Sequence, residues 1–169
     1  MLRLVARSHL AALVWNETDL LRARIGLLEW QFPGGVLRER AGSRDWTVTA
    51  SFCRGIHQLV AAQGGRTIFL LLPERLQLDP PLLSRYASAL GVDTADVDPE
   101  QPNRLLGREL AREGLVVLDA LPVLRQAYAA GQEVYGNVDL HLGRAGHAIV
   151  AELLEPAVQE ALTGEVTER

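Results

Sequence analysis

The chain has 169 residues, 48% of them apolar, with a net charge of -4 and a pI near 5.6, enough apolar material to bury one core within a single domain. That balance supplies no basic field for nucleic acid, and the arginines are scattered rather than gathered into a stripe. All 17 basic residues are arginine, so Schiff-base lysine chemistry, a P-loop lysine and the lysine of a receiver domain are absent.

In chain order, Leu2, Val5, Leu10, Leu13 and Val14 predict a first helix that extends toward Leu20 to Leu28. Arg3, Arg7 and His9 interrupt the apolar stretch, which lacks a small-residue cleavage site and is too short to span a bilayer. A cytoplasmic protein without a membrane segment is expected. Phe32-Pro33-Gly34-Gly35 marks a loop. A helix capped by Ser43 or Asp45 follows, with Trp46, Thr49, Phe52, Ile56, Leu59 and Val60 at intervals of three and four. Cys53, the only cysteine, lies on it and is expected as a buried small hydrophobe; it leaves no partner for an internal disulfide or a paired-cysteine zinc site. His57 is expected on the helix surface. Gln63-Gly64-Gly65 ends the helix, and the apolar run from Thr67 to Leu72, closed by Pro73, predicts a strand buried on both faces.

Asp79-Pro80-Pro81 opens a helix carrying Leu82, Leu83, Tyr86 and Leu90, closed by Gly91 and followed by an acidic loop to Glu100. A helix through Leu105 to Leu110 ends at Gly114, and Leu115 to Asp119 is a second buried strand. A short helix from Leu121 to Ala130 and a last one after Gly143, with Ile149, Leu153, Leu154, Val158 and Leu162 on one side, complete the order. This pattern predicts an α/β fold, a parallel sheet flanked by helices. Two strands are few for such a sheet. The expectation is therefore a single domain over 1–169, or the C-terminal part of one, incomplete at its N-terminus and self-associating through an uncovered sheet edge.

Asp139 and His141 stand two positions apart in the loop before the last helix. A histidine acting as general base needs a group that fixes its tautomer and stabilises the imidazolium, and a carboxylate at this spacing can turn toward it. Loops held on a rigid scaffold are where such side chains tend to sit. A surface pair with no catalytic role satisfies the same spacing.

The string from Val138 to Leu154, VDLHLGRAGHAIVAELL, resembles the C-terminal block of SGNH/GDSL hydrolases, in which an acidic residue and a histidine precede a small-residue turn and a Gly-His helix. Thr67 to Arg75 resembles the family's strand ending in proline, and Gly114 to Pro122 its later strand with an Asp-x-x-Pro turn. The resemblance spans roughly 44–162. It implies a flavodoxin-like three-layer fold, a serine esterase or acyl hydrolase activity on small esters without a cofactor or metal, His141 as general base and Asp139 as its orienting acid. His147 is expected to pack or cap at the start of the last helix, and Asp119 to cap the helix at Leu121.

The family's nucleophile is a serine in Gly-Asp-Ser, and no such tripeptide occurs here. Ser8, Ser43, Ser51, Ser84 and Ser88 all fall in or at the start of predicted helices, outside a strand-turn-helix context. Gly136-Asn137-Val138-Asp139 resembles the family's Gly-x-Asn-Asp block, but with the asparagine displaced by one position. The expectation is a C-terminal portion that carries the triad acid and base, with a missing part on the order of a hundred residues. The alternative is a non-catalytic interaction or ligand-binding domain derived from the same scaffold.

Overall fold

A computed structural model of the chain describes residues 43–89, 91–136 and 141–163. The predicted N-terminal helix, the Phe32-Pro33-Gly34-Gly35 loop, Leu90 and Asp139 lie outside the described residues. Helix α1 runs over Ser43–Ala61 and strand β1 over Ile68–Leu71. Helices α2 (Arg75–Leu78), α3 (Pro80–Ala89) and α4 (Gln101–Arg112) cross to strand β2 (Val116–Asp119). Helices α5 (Leu121–Ala129) and α6 (Arg144–Thr163) follow. The fold of the described residues is mixed α/β around one two-stranded parallel sheet, in which Ile68 pairs with Val116 and Leu71 with Asp119.

The helix ends follow from glycine placement. Gly114 and Gly131 adopt φ of 72° and 82°, a backbone region that costs a β-carbon-bearing residue steric energy. After α4, Leu115 N–H donates to Leu110 O at 3.2 Å and Gly114 N–H to Ala111 O at 3.0 Å. After α5, Gln132 N–H donates to Ala127 O at 3.0 Å and Gly131 N–H to Tyr128 O at 2.9 Å. Both pairs satisfy helix-end carbonyls in the Schellman arrangement. The first turn also buries Leu115 against Leu110, so the helix stop feeds directly into the core.

Alternation along β1 divides the core between the two faces of the sheet. Phe69 and Leu71 pack on Ala50, Leu110 and Leu115, the cluster beneath α1 and α4. Leu70 packs on the opposite cluster, which holds Leu78, Leu121, Leu124, Val134, Tyr135 and Val150. Leu110 and Leu124 are fully enclosed at 1% and 0% exposure, each worth about 1.5–3 kcal/mol of burial. A satellite cluster of Leu76, Leu82 and Leu83 joins α2 to α3.

Several sequence expectations change. The strands are half-buried rather than enclosed on both faces, with Val116 at 53% exposure, and no further strand flanks the pair among the described residues. The apolar repeat on α1 marks a helix but not its buried side: Phe52 and Leu59 are 71% and 70% exposed, while Ala50 faces the core at 2%. The smaller Ala50 and Cys53 occupy the side that packs toward the sheet, Cys53 being half-buried rather than enclosed. The helix expected from Leu105 begins earlier, at Gln101, with Pro102 in its first turn, where a missing N–H costs nothing.

Candidate active site

The segment between α5 and α6 folds back on itself. Tyr135 and Leu142 form an antiparallel bridge, Gly136 N–H donates to His141 O at 2.8 Å, and Gly143 N–H donates to Val134 O at 2.8 Å. These bonds close the base of a short loop whose remaining residues, 137–140, include Asp139 and lie outside the description. His141 sits at the base with its side chain exposed.

Two glycines let α6 come in under this loop. A β-carbon on Gly146 would lie 2.3 Å from Val134 O and 2.8 Å from Leu142 Cδ2; one on Gly143 would lie 3.1 Å from Glu133 O. The small-residue turn in the sequence block is therefore a packing requirement: the helix start and the Val134–Tyr135 backbone occupy adjoining space. His147, one position on, is exposed, and its N–H donates to Gly143 O at 3.0 Å.

The loop base is tied to the end of β1. Tyr135 OH donates to the carbonyl of Pro73, and Arg75 Nη1 donates to Gly136 O at 3.4 Å. Pro73 lies two residues past Leu71, the last residue of β1. His141 is thus carried at the carboxyl edge of the parallel sheet, the side on which open α/β sheets place ligands. Tyr135 is buried, and its phenol is pushed up to about 12, first by burial and then by the charge of Glu74. Burial also raises the Glu74 carboxyl from its ordinary value.

A polar ladder crosses the same edge. Gln77 Nε2 donates to Pro99 O at 2.7 Å and to Asn103 Oδ1 at 2.9 Å, and Asn103 Nδ2 donates to Asp119 Oδ1 at 2.6 Å. The same Asp119 oxygen accepts from Leu121 N–H at 2.9 Å, so Asp119 holds the start of α5 as the sequence predicts. The Gln77 and Asn103 partners were not legible in sequence, because they are 26 residues apart.

The remaining candidates sit elsewhere. His57 is half-buried, not simply on the surface, and its Nδ1 lies 2.6 Å from Thr67 Oγ1. That hydroxyl–imidazole pair is at the amino edge, where β1 begins. Ser51 Oγ donates to Thr47 O within α1 at 2.9 Å, and Ser84 and Ser88 are exposed on α3. None of these serines occupies a strand-to-helix turn. A cavity of about 440 Å³ opens between Leu78, Pro80, Pro99, Tyr128 and Arg125, and His141 does not line it. Among the described residues, no three His, Cys, Asp or Glu side chains converge to hold a metal ion, and no helix is long and apolar enough to cross a membrane.

No family model matches this chain, nor does any curated protein or solved structure. The likeness to SGNH/GDSL hydrolases thus rests on the residues quoted above. Within that stretch, packing accounts for the loop closed at His141 and for the glycines where α6 approaches.

Proposed function

We propose that this chain carries the acid–base half of an SGNH/GDSL-type ester hydrolase site on a flavodoxin-like three-layer scaffold. His141 is the general base and Asp139 the carboxylate that orients it. The observation that carries this reading is the tie between Tyr135 and Pro73, which brings the His141 loop to the carboxyl edge of the sheet. In this reading a serine hydroxyl attacks the acyl carbon of a small ester while His141 takes its proton. The imidazolium then returns that proton to the departing alcohol, and water releases the acyl group by the same route. Asp139 holds the imidazole in one tautomer and favours its charged form.

Ser51, Ser84 and Ser88 lie within helices, outside the strand-to-helix turn that exposes a nucleophile, and in this reading the attacking serine lies outside the described residues. The edges of the two-stranded sheet, which no further strand flanks among the described residues, would be sites of association with that polypeptide or with another copy. The test uses the polypeptide that supplies a Gly-Asp-Ser serine together with this chain, assayed on short-chain p-nitrophenyl esters. His141→Ala is expected to lower kcat by about three orders of magnitude or more. Undiminished turnover in that variant would remove His141 from the reaction.

A second reading, a non-catalytic ligand-binding domain, is favoured by the position of the Leu78–Tyr128 cavity away from His141. It predicts that small apolar ligands bind this chain with an affinity that His141→Ala leaves unchanged, as calorimetry would register.

A further inference from the structure

A chain of polar side chains reaches the His141 loop from α5. Tyr128 OH donates to Asp79 Oδ2 at 2.6 Å, and Asp79 Oδ1 accepts from Leu82 N–H at 3.0 Å. The carboxylate is therefore held from both sides at the start of α3, and its hydrogen bond to Tyr128 raises that phenol above its ordinary value. Arg75 Nε lies 3.6 Å from Asp79 Oδ2, and Arg75 Nη1 reaches Gly136 O at 3.4 Å. Gly136 is also the residue whose N–H donates to His141 O. The two peptide groups of Gly136 are thus engaged on opposite sides, one by His141 and one by Arg75.

The arrangement is expensive if it serves packing alone. Arg75 and Asp79 side chains are only 21% and 12% exposed, and Arg75 Nε is buried with no hydrogen-bond partner among the described residues. Removing a guanidinium and a carboxylate from water is costly, and an apolar pair of similar volume is often as stable or more so. What such a pair cannot do is point a donor at the Gly136 carbonyl.

We propose that Arg75 is a positioning residue for His141, acting through the Gly136 carbonyl, with Asp79 and Tyr128 holding the guanidinium in place. The proposal rests on His141 being the general base. Arg75 orients the peptide plane by which the chain enters the loop, and the Gly136–His141 bond passes that orientation to the histidine backbone. It touches neither substrate nor the reacting proton.

The test reads the His141 imidazole in the intact chain. Its ring-nitrogen NMR shifts report whether one tautomer is held, and the signals are assigned by their loss in His141→Gln. Arg75→Met removes the donor while keeping length and apolar bulk. It is expected to move the His141 ring shifts toward the tautomer-averaged position and to speed hydrogen exchange at Gly136 N–H. Tyr128→Phe removes one of the two hydrogen bonds that hold Asp79 without touching the loop, so it is expected to act in the same direction and more weakly. It carries the test alone if Arg75→Met does not fold.

Folded variants whose His141 and Gly136 signals match the parent overturn the proposal. Asp139→Asn separates this outcome from failure of the base assignment. If Asp139→Asn alone moves the His141 ring signals, the acid–base pair stands and Arg75 has no positioning role. If Arg75→Met alone moves them, Arg75 braces the loop and the pairing of His141 with Asp139 is lost.

Discussion

The hydroxyl of Tyr135 donates to the carbonyl of Pro73, joining residues 62 positions apart. This bond fastens the segment entering the His141 loop to the residue just beyond β1, and the phenol ring packs in the same cluster as Leu78, Leu124 and Val150. Tyr135→Phe keeps the ring and removes the donor, leaving a buried carbonyl unpaired. The expected loss is about 1–3 kcal/mol, read as a lower urea midpoint with an unchanged slope. An unchanged midpoint would mean that Pro73 O finds another donor.

The same tyrosine sets a pH dependence on the alkaline side. Its folded pKa is pushed to about 12 from an ordinary value of 10.0, so the folded state keeps a proton that the unfolded chain gives up. Stability contributed by this group is complete below pH 10 and is lost as pH rises from about 10 toward 12. Absorbance at 295 nm should show tyrosine ionisation coincident with unfolding in the parent, and a shallower alkaline loss of stability in Tyr135→Phe. Ionisation that precedes unfolding would place the phenol in contact with water.

Glu74 titrates with the same sign as Tyr135, but in the acid range. Burial raises its carboxyl, so the folded state holds its proton more tightly than the unfolded chain. Stability therefore falls as pH rises from the unfolded carboxyl value through the higher folded one. Glu74 keeps much of its surface in water and caps α2, so Glu74→Gln is expected to be only slightly more stable than the parent at neutral pH, with the advantage shrinking at acid pH. Thermal melts at both pH values measure it; an advantage that grows on acidification would contradict the sign.

Two helical glycines make a contrasting pair. Gly55 has nothing within 4 Å of an added β-carbon, so Gly55→Ala should stabilise α1 by about 0.5–1 kcal/mol. Gly146→Ala would place a methyl 2.3 Å from Val134 O, and overpacking of that kind costs about 1–3 kcal/mol. Differential scanning calorimetry should show melting temperatures moving in opposite directions.

Val48, Phe52, Ile56 and Leu59 leave an apolar stripe on α1, each more than half exposed. Phe52→Glu with Leu59→Glu should change stability by less than about 0.5 kcal/mol, as exposed substitutions do, while weakening any concentration-dependent association. Sedimentation velocity across a concentration series checks this. Association that persists unchanged would point to the sheet edges instead.

Helix and strand positions were legible because their causes are local. The Ile68–Leu71 and Val116–Asp119 runs are short and apolar, Gly114 and Gly131 supply the left-handed conformation that stops α4 and α5, and Asp119 caps at a spacing of two residues. The short helix α2 escaped notice since Arg75–Leu78 is too brief to show a period. At the candidate site, the spacing of Asp139 and His141 and the glycines Gly143 and Gly146 around the start of α6 could be read directly.

Sequence alone determined the order of the two strands and the longer described helices, the lysine-free chemistry and the resemblance of the C-terminal block. Tertiary structure decided which side of α1 faces the core, because Ala50 lies opposite larger residues that repeat equally well. It also decided that the His141 loop meets the carboxyl edge of the sheet through Tyr135, Pro73 and Arg75, and that Gln77, Asn103 and Asp119 form one ladder. Periodicity reports on neighbours three or four positions away. Hydrogen bonds between residues about 60 positions apart depend on the path of the whole chain, which is set by how the two faces of the sheet are covered.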